Sequence, residues 1–315
     1  MKVIIDAFGG DHAPASVLEG CALAINEFDL DIICVGDEEK VRKEAAERHI
    51  SLEKMEVVHA TSVISCNDPP TKIRSTHANS SMAVGLQLLK DGAGDIFISA
   101  GSTGALVVGA VLIVGRLEGV KHPAIATFLP SKSNCFLLLD SGATIDCKAE
   151  TLEQFAVMST KLMPHLKAPR IGLLNIGVES IKGTGLQRRA FELLAGNSTI
   201  NFVGNIEPGA AFAGMCDVLV ADGFNGNIFL KTIEAASAFV VGELEGAGLT
   251  NELAVVARAF DSSRAGGSLL VGLNKLVLKA HGSANAQTIK GAIGQALKVV
   301  KGQGLHAGSG NGDRV

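Results

Sequence analysis

The chain has 315 residues, 47% of them hydrophobic and 19% charged, with a formal net charge of −4. That length buries a sizeable core, as one large α/β domain or two modest ones, and the slightly acidic balance excludes a dominant nucleic-acid footprint. With 37 glycines and neither Trp nor Tyr, the chain suits repeated tight strand-to-helix turns and excludes a stacking surface for bases.

The amino terminus enters a strand at once, over Val3–Ala7, and shows no signal-peptide layout. Apolar runs of strand length then alternate with segments of helical period. A helix is expected over Ala15–Glu27, a strand over Asp31–Val35, a helix over Glu38–Arg48 and a strand over Met55–His59. A helix over Ser80–Lys90 and a strand over Asp95–Ser99 follow. The apolar run Ala105–Val114 is too short for a bilayer, which takes about 20 residues, and reads as a buried helix.

Strands Ala124–Phe128 and Phe136–Asp140 precede a helix over Thr151–Leu162. Next come strand Arg170–Asn175, helix Leu186–Leu194, strands Val218–Ala221 and Leu276–Lys279, and a final helix over Asn285–Val300. Several strands are continuously apolar, as strands buried on both faces of a mainly parallel sheet are, so the fold class is a three-layer α/β/α sandwich. Residues 1–301 read as one domain and 302–315 as a polar, flexible tail without a periodic apolar face. Six cysteines are scattered without a C-x-x-C pair, which points to free thiols in a reducing, cytoplasmic compartment and to no metal site.

The unusual segments fall directly after strands. They are Gly9-Gly10-Asp11-His12, Gly101-Ser102-Thr103-Gly104, Ser141-Gly142-Ala143-Thr144, Ile176-Gly177-Val178-Glu179, Asp222-Gly223-Phe224-Asn225-Gly226-Asn227 and His281-Gly282-Ser283. In a parallel sheet the loops after strands leave at the carboxyl edge, where ligands bind, so these segments are expected to share one cleft.

Each segment carries two readings. At Gly101–Gly104 the glycines let the backbone approach an anion that Ser102, Thr103 and free helix N–H groups face, or Ser102 simply caps a helix. The segment is neither a P-loop nor a G-x-G-x-x-G fingerprint. In Asp222–Lys231 two glycines bracket a turn, and a helix starting near Gly226 puts Asn227 and Lys231 on one face. That is a clamp for phosphate or a thioester carbonyl, or turn chemistry beside a solvated lysine. Lys182, close to Asn175 and beside Gly183, is a second cation or a surface residue. Pro14 suits the first helical position, with Asp11 or His12 as its cap or in the cleft. His281 sits at the cleft edge as well.

These segments, in this order, resemble the PlsX family of phosphate acyltransferases. The matching stretches are Asp6-Ala7-Phe8-Gly9-Gly10-Asp11-His12-Ala13-Pro14, Ser99–Leu106, Gly142–Lys148, Leu174–Gly177 with Ile181-Lys182-Gly183, Asp222–Lys231 and Lys279–Gly282. The resemblance covers nearly the whole chain. It departs from the family's pattern at Ser102, at Val178-Glu179-Ser180, at Ala235 after Glu234, and in a shortened segment from Ala235 to Gly267.

The resemblance implies a fold like isocitrate dehydrogenase and phosphotransacetylase. It also implies a homodimer without metal or organic cofactor, and acyl transfer from acyl carrier protein to inorganic phosphate at the start of phospholipid synthesis, with peripheral membrane association in some members. A phosphate oxygen would attack the thioester carbonyl directly, because a thiol with a pKa near ~8.5 leaves readily. Phosphate is assigned to Gly101, Ser102, Thr103 and Gly104. Lys182 or Lys231 offsets its charge, Asn227 is the oxyanion donor, and His281 orients phosphate or shuttles a proton. Asp6, Gly9, Gly10, Asp11, His12, Asn175, Asp222, Gly223 and Gly226 line the cleft. The alternatives are a phosphotransacetylase-like enzyme for short acyl thioesters and a non-catalytic scaffold on a decayed fold. A decarboxylating NAD-dependent dehydrogenase would need an arginine cluster, and arginines are sparse near these loops.

Overall fold

A computed structural model describes residues 1–132, 134–249 and 266–301. The tail expected at 302–315 lies outside the described residues. In chain order the elements begin with β1 (Lys2–Asp6), α1 (Ala15–Glu27), β2 (Asp31–Gly36), α2 (Glu38–Glu47) and β3 (Met55–His59). A 3-10 turn (Pro70–Arg74), α3 (Ser81–Lys90), β4 (Ile96–Ser99) and α4 (Thr103–Gly109) follow, and α4 runs on as a π-helical turn (Ala110–Val114). Then come β5 (Ala124–Ser131), β6 (Asn134–Leu139), α5 (Ala149–Leu162), β7 (Arg170–Leu174), α6 (Gly185–Gly196), β8 (Asn201–Ile206), α7 (Pro208–Phe212) and β9 (Val218–Val220). The last are α8 (Gly223–Gly246), β10 (Ser268–Val271), β11 (Leu276–Lys279) and α9 (Ala286–Val300).

The described residues pack as two compact units, one of 1–123 with 266–301 and one of 124–132 with 134–249. In the first unit the strands lie in the order β3-β2-β1-β4-β11-β10. All neighbours are parallel except β10, which runs against β11. Val3, Ile4, Ile32, Ile96, Phe97 and Ile98 are fully buried, which is why their runs are apolar without alternation. Helix α1 lies so close to α9 that a Cβ on Gly20 would fall 2.5 Å from the Ile289 Cβ. A glycine there lets the two backbones approach.

In the second unit the order is β5-β6-β9-β7-β8. Strand β5 is antiparallel to β6, and β6, β9, β7 and β8 are parallel. Phe136, Leu138, Leu219 and Ile206 form its core beneath α7 and the start of α8. The aromatic rings of Phe136 and Phe212 meet edge to face at 5.6 Å.

The sequence-based elements match with shifts at their ends, and the α/β class with a mainly parallel sheet holds. Two short strands, β8 and β10, have no counterpart in the sequence reading. Strand β8 carries Asn201 and Asn205 and a left-handed Gly204 (φ 96°), so it lacks an apolar signature. Helix α8 is the largest difference. It begins at Gly223 rather than near Gly226 and is 24 residues long. Among the described residues no helix is long and apolar enough to cross a membrane.

Candidate functional site

In the first unit β1, β4 and β11 are parallel neighbours, so the segments after Asp6, Ser99 and Lys279 leave the sheet at one edge. Asp6 is buried, and its carboxylate accepts from the Ser99 hydroxyl at 2.7 Å and from the Phe8 amide at 3.2 Å. Burial pushes the Asp6 carboxyl above its ordinary value, and the nearby hydroxyls of Ser81 and Ser99, the Phe8 amide and the Lys279 charge draw it part of the way back. A Cβ on Gly9 would lie 2.8 Å from both Asp6 Oδ2 and the Gly101 nitrogen, so no side chain fits there.

Gly10 has φ 101°, a left-handed conformation, and its α-carbon faces the Gly282 carbonyl. The Asp11 amide donates to that carbonyl at 2.8 Å, tying the first segment to the third. Between them the Gly101 amide donates to Ser99 Oγ at 3.0 Å, and Ser102 caps α4 by accepting from the Ala105 amide at 3.4 Å. The Lys279 ammonium donates to the Ala100 carbonyl at 3.3 Å and to the Ala280 carbonyl. His281 Nδ1 and Ser283 Oγ lie 2.8 Å apart.

The second unit repeats the principle with different parts. Strands β6, β9 and β7 are parallel neighbours, so the segments after Leu139, Val220 and Leu174 share an edge. Asp140 follows β6 and is fully buried. Its carboxylate accepts from the amides of Ile125 at 2.8 Å, Gly142 and Ala143 at 3.0 Å, and Thr144 at 2.7 Å. Burial lifts this carboxyl while the four amides oppose the rise.

Helix α8 comes down on this loop. A Cβ on Gly223 would meet the Thr144 carbonyl oxygen at 2.6 Å, and one on Gly226 would meet the Asp140 carbonyl oxygen at 1.9 Å. The two glycines expected to bracket a turn therefore lie inside the first helical turn, where only they fit. Asp222 is the N-cap and accepts from the Asn225 amide at 2.9 Å and from its side chain at 2.7 Å. The Asn227 side chain covers Gly142, whose φ is 138° and whose Cβ would sit 3.4 Å from the Asn227 Cγ. Lys231 is exposed and pairs with Glu234 at 2.6 Å.

The third segment of this edge is organised by Asn175. It is buried, accepts from the Ile176 amide at 2.8 Å and donates to the Lys182 carbonyl at 3.3 Å. Gly183 (φ 83°) packs against it. Asn175 thus folds the loop 176–183 over itself. Lys182 is exposed, with its aliphatic stem along Gly177.

The structure gathers Asp6, Gly9, Gly10, Asp11, Gly101, Ser102 and His281 on the edge of the first unit, with Thr103 and Gly104 opening α4. It gathers Asn175, Lys182, Asp222, Gly223, Gly226, Asn227 and Lys231 on the edge of the second. His12 is exposed, and Pro14 occupies the N-cap of α1 rather than its first helical position, so neither Asp11 nor His12 caps that helix.

Three residues at these edges have no role in the sequence reading: Ser99, Lys279 and Asp140. Each ends or follows an apolar strand, and that position is the signal that marks them. Cys147, close to the Asp140 loop, donates to the Thr144 carbonyl at 3.3 Å, and burial pushes its thiol up to about 12. It stays protonated at neutral pH. Among the described residues no group of three or more His, Cys, Asp or Glu side chains could hold a metal ion.

Against known proteins, the sequence profile of the family described as "fatty acid synthesis protein" matches residues 1–306. The chain is 39% identical over 321 residues to a phosphate acyltransferase of Acetivibrio thermocellus, covering 97% of this chain and 94% of the relative. It is 40% identical over 318 residues to a phosphate acyltransferase of Clostridium tetani, covering 96% and 95%. Among solved structures it is similar to a phosphotransacetylase from Streptococcus pyogenes, with a TM-score of 0.68 at 20% identity over 96% of this chain and 94% of that one. That last likeness concerns the fold alone.

Proposed function

The chain belongs to the fatty acid synthesis protein family, and on that premise we propose that it is the phosphate acyltransferase that moves an acyl group from acyl carrier protein to inorganic phosphate. The product is an acyl phosphate, the first intermediate toward phosphatidic acid in phospholipid synthesis. The observation that carries this reading is that the family likeness runs through both glycine-rich edges, from β1 to α9. Residues 1–301 then act as one catalytic domain.

A phosphate oxygen attacks the thioester carbonyl carbon, a C–O bond forms, and the carbonyl oxygen takes up the electron pair. The tetrahedral oxyanion collapses, the C–S bond breaks, and the thiolate leaves and takes a proton from solvent. Phosphate is already anionic and the thiolate is a good leaving group, so catalysis rests on positioning and on stabilising the oxyanion. Phosphate is received at Gly101, Ser102, Thr103 and Gly104, where the hydroxyls of Ser102 and Thr103 and the amides after Gly101 supply donors.

Asn227 donates to the oxyanion. Its amide stands on the first turns of α8, where the capped N-terminus favours negative charge. Lys231, one turn on, or Lys182 offsets the phosphate charge. For Lys231 this means exchanging its pairing with Glu234 for the substrate, which an exposed ion pair of small net strength permits. His281 orients phosphate. Asp6, Asn175 and Asp222 act by shaping loops, which accords with their burial.

The family resemblance also supports a homodimer in the cytoplasm that touches the membrane peripherally. Phe239 and Val240 of α8 are exposed in the single chain and suit either contact. Asn227→Ala and Lys231→Ala test the assignments. Both variants should fold normally and lose about two orders of magnitude in turnover, the range seen when one oxyanion donor is removed. Acyl phosphate formed by both at the wild-type rate would remove them from the mechanism.

A further inference from the structure

The peptide unit between Ala100 and Gly101 is gripped by both of its polar groups. Its N–H donates to Ser99 Oγ at 3.0 Å, and its carbonyl accepts from the Lys279 ammonium at 3.3 Å. Ser99 has one hydroxyl proton, and that proton goes to Asp6 at 2.7 Å, so a lone pair faces the Gly101 amide. Ser99 is buried, and its own carbonyl accepts from the Ala280 amide at 3.0 Å, which ties it to the strand end that carries Lys279. Gly9 closes the assembly, because any Cβ there would strike Asp6, Ser99 and Gly101 together.

A buried carboxylate used to orient a single hydroxyl under a single peptide is an arrangement that fixes a direction. We infer that Ser99 and Lys279 are positioning residues, setting the plane of the Ala100–Gly101 peptide and with it where Ser102 and Thr103 meet phosphate. Asp6 acts through Ser99. The inference rests on the proposed role of residues 101–104 in receiving phosphate.

The test uses full-length wild type, Ser99→Ala and Lys279→Met, with initial rates taken against phosphate and against acyl thioester separately. Urea denaturation is followed alongside. Misplacing a loop by about 1 Å costs on the order of a hundredfold, so each variant should raise the phosphate KM by about ten- to a hundredfold. The thioester KM should stay at its wild-type value. A purely structural role would lower the denaturation midpoint and leave the phosphate KM where it was, and that result in either folded variant, beside an active wild type, overturns the inference alone. Should Ser99→Ala fail to fold, Lys279→Met decides on the same readout. A wild type that makes no acyl phosphate overturns both the inference and the proposed function beneath it.

Discussion

Asp6 and Asp140 hold corresponding places in the two units. Each stands at the carboxyl end of an apolar strand, each is buried, and each fixes the glycine-bearing segment beside it. They do so differently. Asp140 takes four backbone amides directly, three from its own loop and one from Ile125. Asp6 takes one amide and one hydroxyl, and passes its influence on through Ser99 to the Gly101 amide. A carboxylate saturated by main chain fixes the local path of the backbone and serves stability. One that works through a side chain adjusts a loop and can change function with less cost to the fold.

The sharpest break of that comparison is Asp140→Asn. Asparagine keeps one acceptor oxygen and turns an NH2 group toward amide donors, leaving buried N–H groups unpaired. The loss should be on the order of 3–5 kcal/mol in urea denaturation, well beyond that of Ser99→Ala. Equal losses would show that the two aspartates do the same work.

Next in size is Gly226→Ala, where the added Cβ would lie 1.9 Å from the Asp140 carbonyl oxygen. The helix must lift from the Asp140 loop, at about 3 kcal/mol. Gly242→Ala on the same helix meets nothing within 4 Å and should instead stabilise by about 0.5–1 kcal/mol. The same chemical change with opposite signs would tie the cost to the loop rather than to the helix.

The smallest effect is a pH dependence. Because the folded state raises the Asp6 carboxyl, its contribution to stability is complete below the ordinary value of about 3.9 and is lost as pH rises through the raised value. Asp6→Asn does not titrate. Wild type should therefore gain on this variant as pH falls toward the ordinary carboxylate value, measured by urea midpoints at each pH. A wild type that instead loses ground to the variant over that range would show that folding lowers the Asp6 carboxyl.

Much of the frame was legible because strands such as β2, β4 and β9 are buried on two faces and read as apolar runs. Met55–His59 and Leu276–Lys279 agree to the residue. Strand β8 was not legible, since Asn201, Gly204 and Asn205 give it no such run. The start of α8 differs for a related reason. Asp222-Gly223-Phe224-Asn225-Gly226 has turn composition, and only the approach of the Asp140 loop explains why glycines occupy a helical turn.

The candidate site was legible as positions, not as contacts. Gly9, Gly101 and Gly226 stand out as glycines after strands, yet what each makes room for lies far away in sequence. Ser99 and Lys279 are marked only by ending apolar strands, and that position names no partner for either. Their meaning comes from pairing β4 with β11, residues 96–99 against 276–279. Asn175 reads as a cleft residue, and its hydrogen bonds turn out to run to its own loop.

The most direct measurement is to incubate the purified chain with a long-chain acyl carrier protein thioester, with and without phosphate, and to trap acyl phosphate with hydroxylamine. Hydroxamate should form only when phosphate is present. No hydroxamate from this thioester, nor from acyl or acetyl coenzyme A, would contradict the assigned reaction.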